Sequence, residues 1–132
     1  MYKVCIIQHY QATRDVELLN ETTQTKDLCF DDSALVSFDN FGYMEEGKTY
    51  ACKIKLFGDV VEKESATSVE IRITNPTVFI GKKPMIEVQI DEDIYYIPRS
   101  KADNAELNDR LFFRFSRKDL IQVDDVIHND YS

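Results

Sequence analysis

Apolar and polar residues alternate one by one along much of residues 48–97. A period of two is typical of strands that bury one face and expose the other, and no helical period interrupts it. The strand-like runs are residues 50–56, 69–73, 86–90 and 94–97, with a short apolar run at 78–80 after the break at Asn75 and Pro76. Runs this short, joined by turns, predict an antiparallel sheet that must curl or stack to cover its inner face.

The connection between the last two runs is acidic. It consists of Asp91, Glu92 and Asp93 and lacks the glycine that a tight hairpin turn prefers. We therefore expect a hairpin loop of about three to five residues. An EF-hand calcium loop is not indicated, because Ile94 stands where that pattern requires glycine.

The chain before residue 48 has a less regular pattern. Its predicted elements are a strand that begins at Tyr2 and ends near Tyr10, short strands at 27–30 and 34–38, and turns at 31–33, 39–42 and 45–48. Residues 11–26 are polar and rich in Thr, Glu and Asn. They are expected to form either a loop with a short strand or a single helical turn.

The C-terminal third mixes weak helical and strand signals. Ser100 can cap a short helix over residues 100–109, and residues 111–115 predict another strand. Residues 120–127 combine helical spacing with β-branched residues, so helix and strand both stay open there. Residues 128–132 are expected to be a frayed end.

Together these patterns predict a mainly β protein of the β-rich α+β type, with one or two short helices in a single domain over residues 1–132. The first expectation is a small antiparallel barrel, OB-like or SH3-like, and the second is a two-sheet sandwich.

Composition places the chain among globular proteins. Hydrophobic residues make up 43% and charged residues 30%, which argues against disorder. The apolar run near the N-terminus is too short for a signal-peptide core, and no run is long enough to span a membrane. Cys5, Cys29 and Cys52 are odd in number and far apart, and each lies in a strand-like run. We interpret all three as small buried hydrophobic residues and expect a cytoplasmic protein.

The net charge of −8 makes nucleic acid an unlikely partner. A protein that holds a phosphate backbone is expected to show a basic stripe, because phosphate neutralisation supplies much of the affinity. An acidic surface instead speeds the encounter with a basic partner.

The sequence contains no recognisable catalytic, cofactor-binding or metal-binding motif. His9 and His128, the two histidines, have no Cys, Asp or Glu at ligand spacing, so we interpret them as an ordinary strand-end and tail residue. The four glycines are isolated in turns and cannot form a phosphate-binding loop. We therefore assign no catalytic, cofactor or metal residues.

The favoured hypothesis is a non-enzymatic protein that binds a basic macromolecular partner through acids displayed in turns. An immunity protein that neutralises a basic toxin is one concrete instance. The predicted partner-binding residues are Asp31, Asp32, Glu45, Glu46, Asp91, Glu92 and Asp93, with Tyr95 or Tyr96 as an aromatic anchor. Because Tyr95 and Tyr96 are neighbours in a strand, one of them should be exposed unless the sheet is covered on both faces.

Two other functions stay open. One is a ligand-binding barrel for an oligosaccharide or single-stranded nucleic acid. Its binding residues would be an aromatic platform, made of Tyr95 or Tyr96 with Phe41, Tyr43 and Phe57, and the basic cluster Arg110, Arg114, Arg117 and Lys118. The other is an enzyme with dispersed carboxylates, for which no nucleophile or base can be named.

Overall fold

The computed structural model describes residues 1–36 and 40–132, and within these residues the fold is one mixed sheet of ten strands with a few short helical turns. The strands are β1 (Tyr2–His9), β2 (Arg14–Asn20), β3 (Lys26–Asp31), β4 (Thr49–Tyr50), β5 (Cys52–Val61), β6 (Val69–Ile80), β7 (Lys83–Ile90), β8 (Asp93–Pro98), β9 (Arg110–Val123) and β10 (Val126–Ile127). The helical elements are α1 (Ser33–Val36) and three 3₁₀ turns, Phe41–Tyr43, Arg99–Lys101 and Asn129–Tyr131. The mainly β prediction is confirmed.

The sheet curls so that its strands trace a partly closed ring. The strand order is β4-β1-β2-β3-β9-β5-β8-β7-β6, and β6 turns back to pair with β9, so that β9, β5, β8, β7 and β6 lie in a ring. Most pairs are antiparallel, but β3 with β9 and β5 with β8 are parallel. In the described residues β5 and β8 are joined only at Lys55 and Tyr96, so the ring has one weak seam. Strands β1 to β4 extend the sheet beyond the ring.

The inward-facing positions of the predicted runs form the core. Ile71 and Ile73 in β6 are fully buried, while Arg72 between them is partly exposed. The same alternation buries residues in the neighbouring strands: Ile54 and Leu56 in β5, Ile86 and Val88 in β7, and Val16 and Leu18 in β2. Each such aliphatic side chain contributes about 1.5–3 kcal/mol when buried, so these runs hold the sheet in its curled form.

Residues 11–26 form a longer strand than expected. Strand β2 has seven residues and pairs with β1 on one edge and β3 on the other. Its polar composition obscured a period of two in which Val16 and Leu18 face the core. Pairing on both edges outweighs the weak strand preference of the intervening residues.

Three predicted helix or strand assignments change in the structure. The strand expected at 34–38 is replaced by the helical turn α1 as far as Val36, and Ser37 and Phe38 lie outside the described residues, as does Asp39 of the turn predicted next. The helix expected over 100–109 is reduced to the 3₁₀ turn Arg99–Lys101. The open choice at 120–127 is resolved as strand, because β9 continues to Val123 along β5 and β10 follows after a two-residue turn.

The β7–β8 hairpin is tighter than predicted. Ile90 pairs directly with Asp93, so the loop contains only Asp91 and Glu92 instead of three to five residues. Asp91 adopts a left-handed conformation with φ of 52°, which Asp tolerates better than most residues. The predicted break at Pro76 is also absent, because β6 passes through it with a register shift between Asn75 and Val78.

The C-terminal end is packed rather than frayed. Tyr131 is buried beside Ile80, Met85 and Ile121, and its carbonyl oxygen accepts a hydrogen bond from the Lys82 backbone N–H at 2.6 Å. The tail has partners that lie far away in sequence, which explains why a local pattern did not indicate them.

The cysteines differ in burial. Cys29 is fully buried, as predicted, whereas Cys5 and Cys52 are only partly buried. Burial still raises the pKa of the Cys52 thiol to about 12, which keeps it protonated near neutral pH.

The glycine at position 58 provides a test of this packing. Gly58 lies at a register shift of β5 against β9, where an added Cβ would lie 1.9 Å from the Arg114 carbonyl oxygen and 2.7 Å from the Phe115 Cα. These are backbone atoms that cannot rotate away. We expect Gly58→Ala to lower the free energy of unfolding by about 3 kcal/mol, measured by urea denaturation followed by circular dichroism.

Gly47→Ala is the matched control. Gly47 has φ of 86° and open space around its Cβ position, so its substitution should lower stability by only about 1 kcal/mol. Equal losses in the two variants would contradict the close packing of β5 on β9.

Candidate interaction surface

The predicted partner-binding residues divide into a buried and an accessible group. Asp31, Asp93, Tyr95 and Tyr96 are buried, which corrects the expectation that they are displayed to a partner. Asp32 is partly exposed, and the exposed members are Glu45, Glu46, Asp91 and Glu92.

Asp31 is a structural residue. Its Oδ2 accepts hydrogen bonds from Arg14 Nε at 3.0 Å and Nη2 at 2.8 Å, and its Oδ1 accepts one from the Ser33 backbone N–H at 2.9 Å. Arg14 Nη2 also donates to the Phe41 carbonyl oxygen at 2.8 Å. Because these charged bonds are largely buried, they fix the start of α1 and the Phe41 turn at the adjoining ends of β2 and β3.

Asp93 holds two turns together. Its carboxylate accepts hydrogen bonds from Thr25 Oγ1 at 2.7 Å, Thr23 Oγ1 at 2.5 Å and Asn20 Nδ2 at 3.4 Å. The β7–β8 hairpin is thereby fastened to the β2–β3 turn. The exposed Asp91 and Glu92 therefore lie at that junction.

Tyr95 and Tyr96 point to opposite faces of β8, and both faces are covered. Tyr95 lies in the main core, where its hydroxyl donates to Asp27 Oδ2 at 2.7 Å. Burial and the Asp27 carboxylate raise the pKa of Tyr95. Tyr96 packs in a second cluster with Ile121 and Tyr131, and burial together with Glu87 raises its pKa to about 12. Neither ring can serve as an exposed anchor.

The predicted basic cluster is largely neutralised by ion pairs. Arg110 pairs with Glu70 at 2.7 Å, Arg117 pairs with Asp119, and Lys118 pairs with the buried Asp27. Among the aromatic residues proposed to accompany this cluster, Phe41 is fully buried, whereas Tyr43 and Phe57 are exposed. The ligand-binding alternative therefore keeps Tyr43, Phe57 and the exposed arginines of its predicted surface and loses the ring of Phe41.

A different surface forms where α1, the Phe41–Tyr43 turn and the C-terminal turn pack together. His128 is buried at the centre of this packing, and its Nε2 lies 2.6 Å from Asp32 Oδ1. The His128 ring also contacts the Phe41 ring, with 6.3 Å between centroids, and its Nδ1 accepts from the Asp130 backbone N–H at 3.1 Å. The tail histidine is therefore part of the fold, and it places Asp32 and Asp130 on neighbouring segments.

The same surface continues along the start of β5 and the end of β9. Tyr43 donates from its hydroxyl to the Val123 carbonyl oxygen at 2.7 Å. Ala51 and Asp124 exchange two hydrogen bonds, from the Asp124 N–H to the Ala51 oxygen at 2.7 Å and from the Ala51 N–H to the Asp124 carboxylate at 2.9 Å. The Tyr50 hydroxyl accepts from the Glu45 N–H at 2.9 Å. These bonds bring the 45–47 turn and the Asp124–Asp125 turn to one edge of the sheet.

We call the acids of these segments the acidic patch: Asp32, Glu45, Glu46, Asp124, Asp125 and Asp130. Three hydrophobic side chains are exposed on the same segments, Leu35 at 58%, Tyr43 at 42% and Val36 at 38%. The only lysine or arginine on segments 32–36, 40–48 and 124–132 is Lys48, which pairs with Glu45 at 2.5 Å. The surface thus combines exposed apolar groups with an excess of acids over bases on the same segments.

Sequence reasoning identified only half of the acidic patch. It named Asp32, Glu45 and Glu46 but missed Asp124, Asp125 and Asp130. The available signal was the Asp124–Asp125 pair itself, because adjacent aspartates between apolar runs favour a turn. Leu35 and Val36 were missed because they were assigned to a strand, in which one of them would have faced inward.

Within residues 1–36 and 40–132, no three His, Cys, Asp or Glu side chains are grouped so that they could hold a metal ion. Across the same residues, no helix has both the length and the apolar character needed to cross a membrane. No family model, curated protein or solved structure is significantly similar to this chain.

The buried position of Asp31 leads to a stability prediction. Asp31→Ala leaves the Arg14 guanidinium largely buried without its counter-ion, so we expect the free energy of unfolding to fall by about 3–5 kcal/mol in urea denaturation. Glu46→Ala, at an exposed position, should change it by less than about 0.5 kcal/mol. If the Asp31→Ala variant were as stable as the Glu46→Ala variant, the structural role assigned to Asp31 would be contradicted.

Proposed function

We propose that this protein is a non-enzymatic binding protein that recognises a basic protein partner through the acidic patch. The observation that carries the proposal is the exposure of Leu35, Val36 and Tyr43 on segments whose charges are nearly all acidic. Exposed apolar groups surrounded by polar residues are typical of protein interaction sites.

The two kinds of group have different tasks in this proposal. The acids attract and orient a basic surface during the encounter, which mainly increases the association rate. The apolar groups supply contact area once water is excluded, which mainly slows dissociation. The ring of Tyr43 is already oriented by its hydrogen bond to Val123, so less conformational entropy is lost when it is covered.

An immunity-type inhibitor of a basic toxin is the concrete form that this function takes in our proposal. A nuclease-type toxin presents cations where it holds the phosphates of its substrate, and an acidic surface can cover them. Such a pair meets in the cytoplasm, the compartment that the odd and widely spaced cysteines of the sequence favour.

Charge reversal within the acidic patch tests the proposal. Glu46→Lys with Asp125→Lys alters two exposed positions whose side chains form no hydrogen bond or ion pair with the described residues, and it changes the net charge by four units. We expect this double variant to lose at least about tenfold in affinity for the partner, with most of the loss in the association rate. The partner is the basic protein captured from the native host at low salt, purified and then measured by surface plasmon resonance.

Glu62→Lys with Glu64→Lys is the matched control, because it makes the same charge change on the exposed loop between β5 and β6. It should retain binding within about twofold at physiological salt, where charges further apart than about 8 Å are screened. Equal losses of affinity in the two double variants would mean that the net charge of the protein, and not the acidic patch, determines binding. Retention of the partner by the Glu46→Lys, Asp125→Lys protein would contradict the proposal.

Leu35 tests the apolar part of the surface separately. Leu35→Ser removes exposed hydrophobic area at a side chain that is already 58% exposed, so the free energy of unfolding should change by less than about 0.5 kcal/mol. Affinity should fall by about five- to thirtyfold through faster dissociation, because the contact area with the partner is lost. Leu107→Ser, at 59% exposure outside these segments, is the control that should leave binding unchanged.

A further inference from the structure

A second charged feature of opposite sign lies at the seam of the ring. Lys55 of β5 is partly buried where β5 meets β8, and its Nζ lies 6.0 Å from the centroid of the Tyr131 ring. Lys83, at the start of β7, approaches the same ring at 5.0 Å. Between these strands is a groove of about 220 Å³, to which Arg99 and Ser100 also contribute.

The charges of this groove are all positive. Lys55, Lys83 and Arg99 line it, and none of the described residues that line it is acidic. None of the three forms an ion pair with any residue in the described part of the chain, although acids outnumber bases in the protein. Arg99 uses Nη1 to donate to Thr77 Oγ1 at 2.5 Å, which orients the guanidinium while its other nitrogens have no hydrogen bond within the described residues.

Charges of both signs surround Lys55. Burial is the main cause that lowers the pKa of Lys55, the carboxylate of its cross-strand neighbour Asp119 raises it, and Lys83, Arg117 and Lys101 lower it. The Asp119 carboxylate is itself engaged in a two-nitrogen contact with Arg117. A lysine and its neighbouring cations that form no ion pair are stabilised when an anion binds beside them.

The shape of the groove narrows the class of anion. A phosphoryl group offers several charged oxygens at once, which suits three separate nitrogen donors, and arginine and lysine are the usual residues that bind it. The remaining walls include Pro84, Met85, Pro98 and the Tyr131 ring, which favour an organic group next to the charge. A volume of about 220 Å³ is smaller than that of typical drug-sized pockets, so only the phosphoryl group and a few adjoining atoms can be enclosed.

We propose that this groove is a binding site for the phosphoryl group of a small phosphate ester, held by Lys55, Lys83 and Arg99 against the Tyr131 ring. Tyr131 belongs to the same C-terminal turn as Asp130, so the groove borders the acidic patch. The site is nonetheless separate from the proposed partner surface, because it uses other residues and the opposite charge.

Titration with inorganic pyrophosphate tests the proposal. Isothermal titration calorimetry of the full chain at low ionic strength should show saturable binding of one pyrophosphate per protein. Lys83→Gln should weaken this binding by about tenfold, which corresponds to the loss of one charge-assisted hydrogen bond. Lys83 is exposed, so the variant is expected to fold normally, and circular dichroism checks this.

Lys63→Gln is the matched control, since it removes the same charge from an exposed loop position and should leave pyrophosphate binding within about twofold. Absence of saturable heat up to about 5 mM pyrophosphate, or equal weakening by Lys63→Gln, would overturn the proposal. Binding of a short thymidine oligonucleotide without binding of pyrophosphate would overturn it in favour of an extended nucleic-acid surface. These outcomes do not depend on the partner protein, so the groove and the acidic patch can fail independently.

Discussion

Strand β9 is the constraint on which the whole structure depends, because it is shared by both parts of the sheet. One of its edges pairs with β5 along most of its length, from Phe112 to Val123. The other edge is used in turn by β6 at Arg110–Phe113, by β3 at Lys118 and Asp119, and by β10 at Gln122 and Val123. A strand that serves three successive neighbours must bend between them, and the register shift at Gly58 allows this bend. The ring and its extension therefore form one sheet.

Strand β9 also determines where several charged side chains lie. Its Lys118 reaches the buried Asp27 of β3, and its Arg117 lies between the rings of Phe30 and Phe57, with 4.6 and 4.4 Å from the guanidinium carbon to the two centroids. Bases that are close in sequence are thus satisfied individually by residues from different strands. Lys55 of β5, Lys83 of β7 and Arg99 of the turn after β8 are among the cations that have no ion pair in the described residues, and the ring brings these three to one groove.

The parts of the fold that were predictable are those that depend on local periodicity. Alternation at Ile71 and Ile73 requires no knowledge of the partner strand, since any inner face will bury those side chains. Asp31 and Asp32 show the limit of this reasoning. They are adjacent and chemically identical, yet Asp31 is buried and paired with Arg14 of another strand. Asp32 is partly exposed and lies beside His128 near the C-terminus. Only tertiary contacts distinguish them, and for that reason sequence alone could not separate the structural acid from the accessible one.

The ring has its weakest backbone pairing at the seam, where a single residue pair, Lys55 with Tyr96, joins β5 to β8. Strands β6, β7 and β8 are joined to one another by long antiparallel ladders. Their backbone pairing with the rest of the sheet consists of this one rung and the four residue pairs at Val69–Arg72, and the side chains of Asp93 and Tyr95 add hydrogen bonds to β3 and to the turn before it. Local opening begins where backbone bonds are fewest, which here is the contact of β5 with β8. Because the groove lies across that contact, an occupant would add a link between the two strands at the point where the backbone supplies only one.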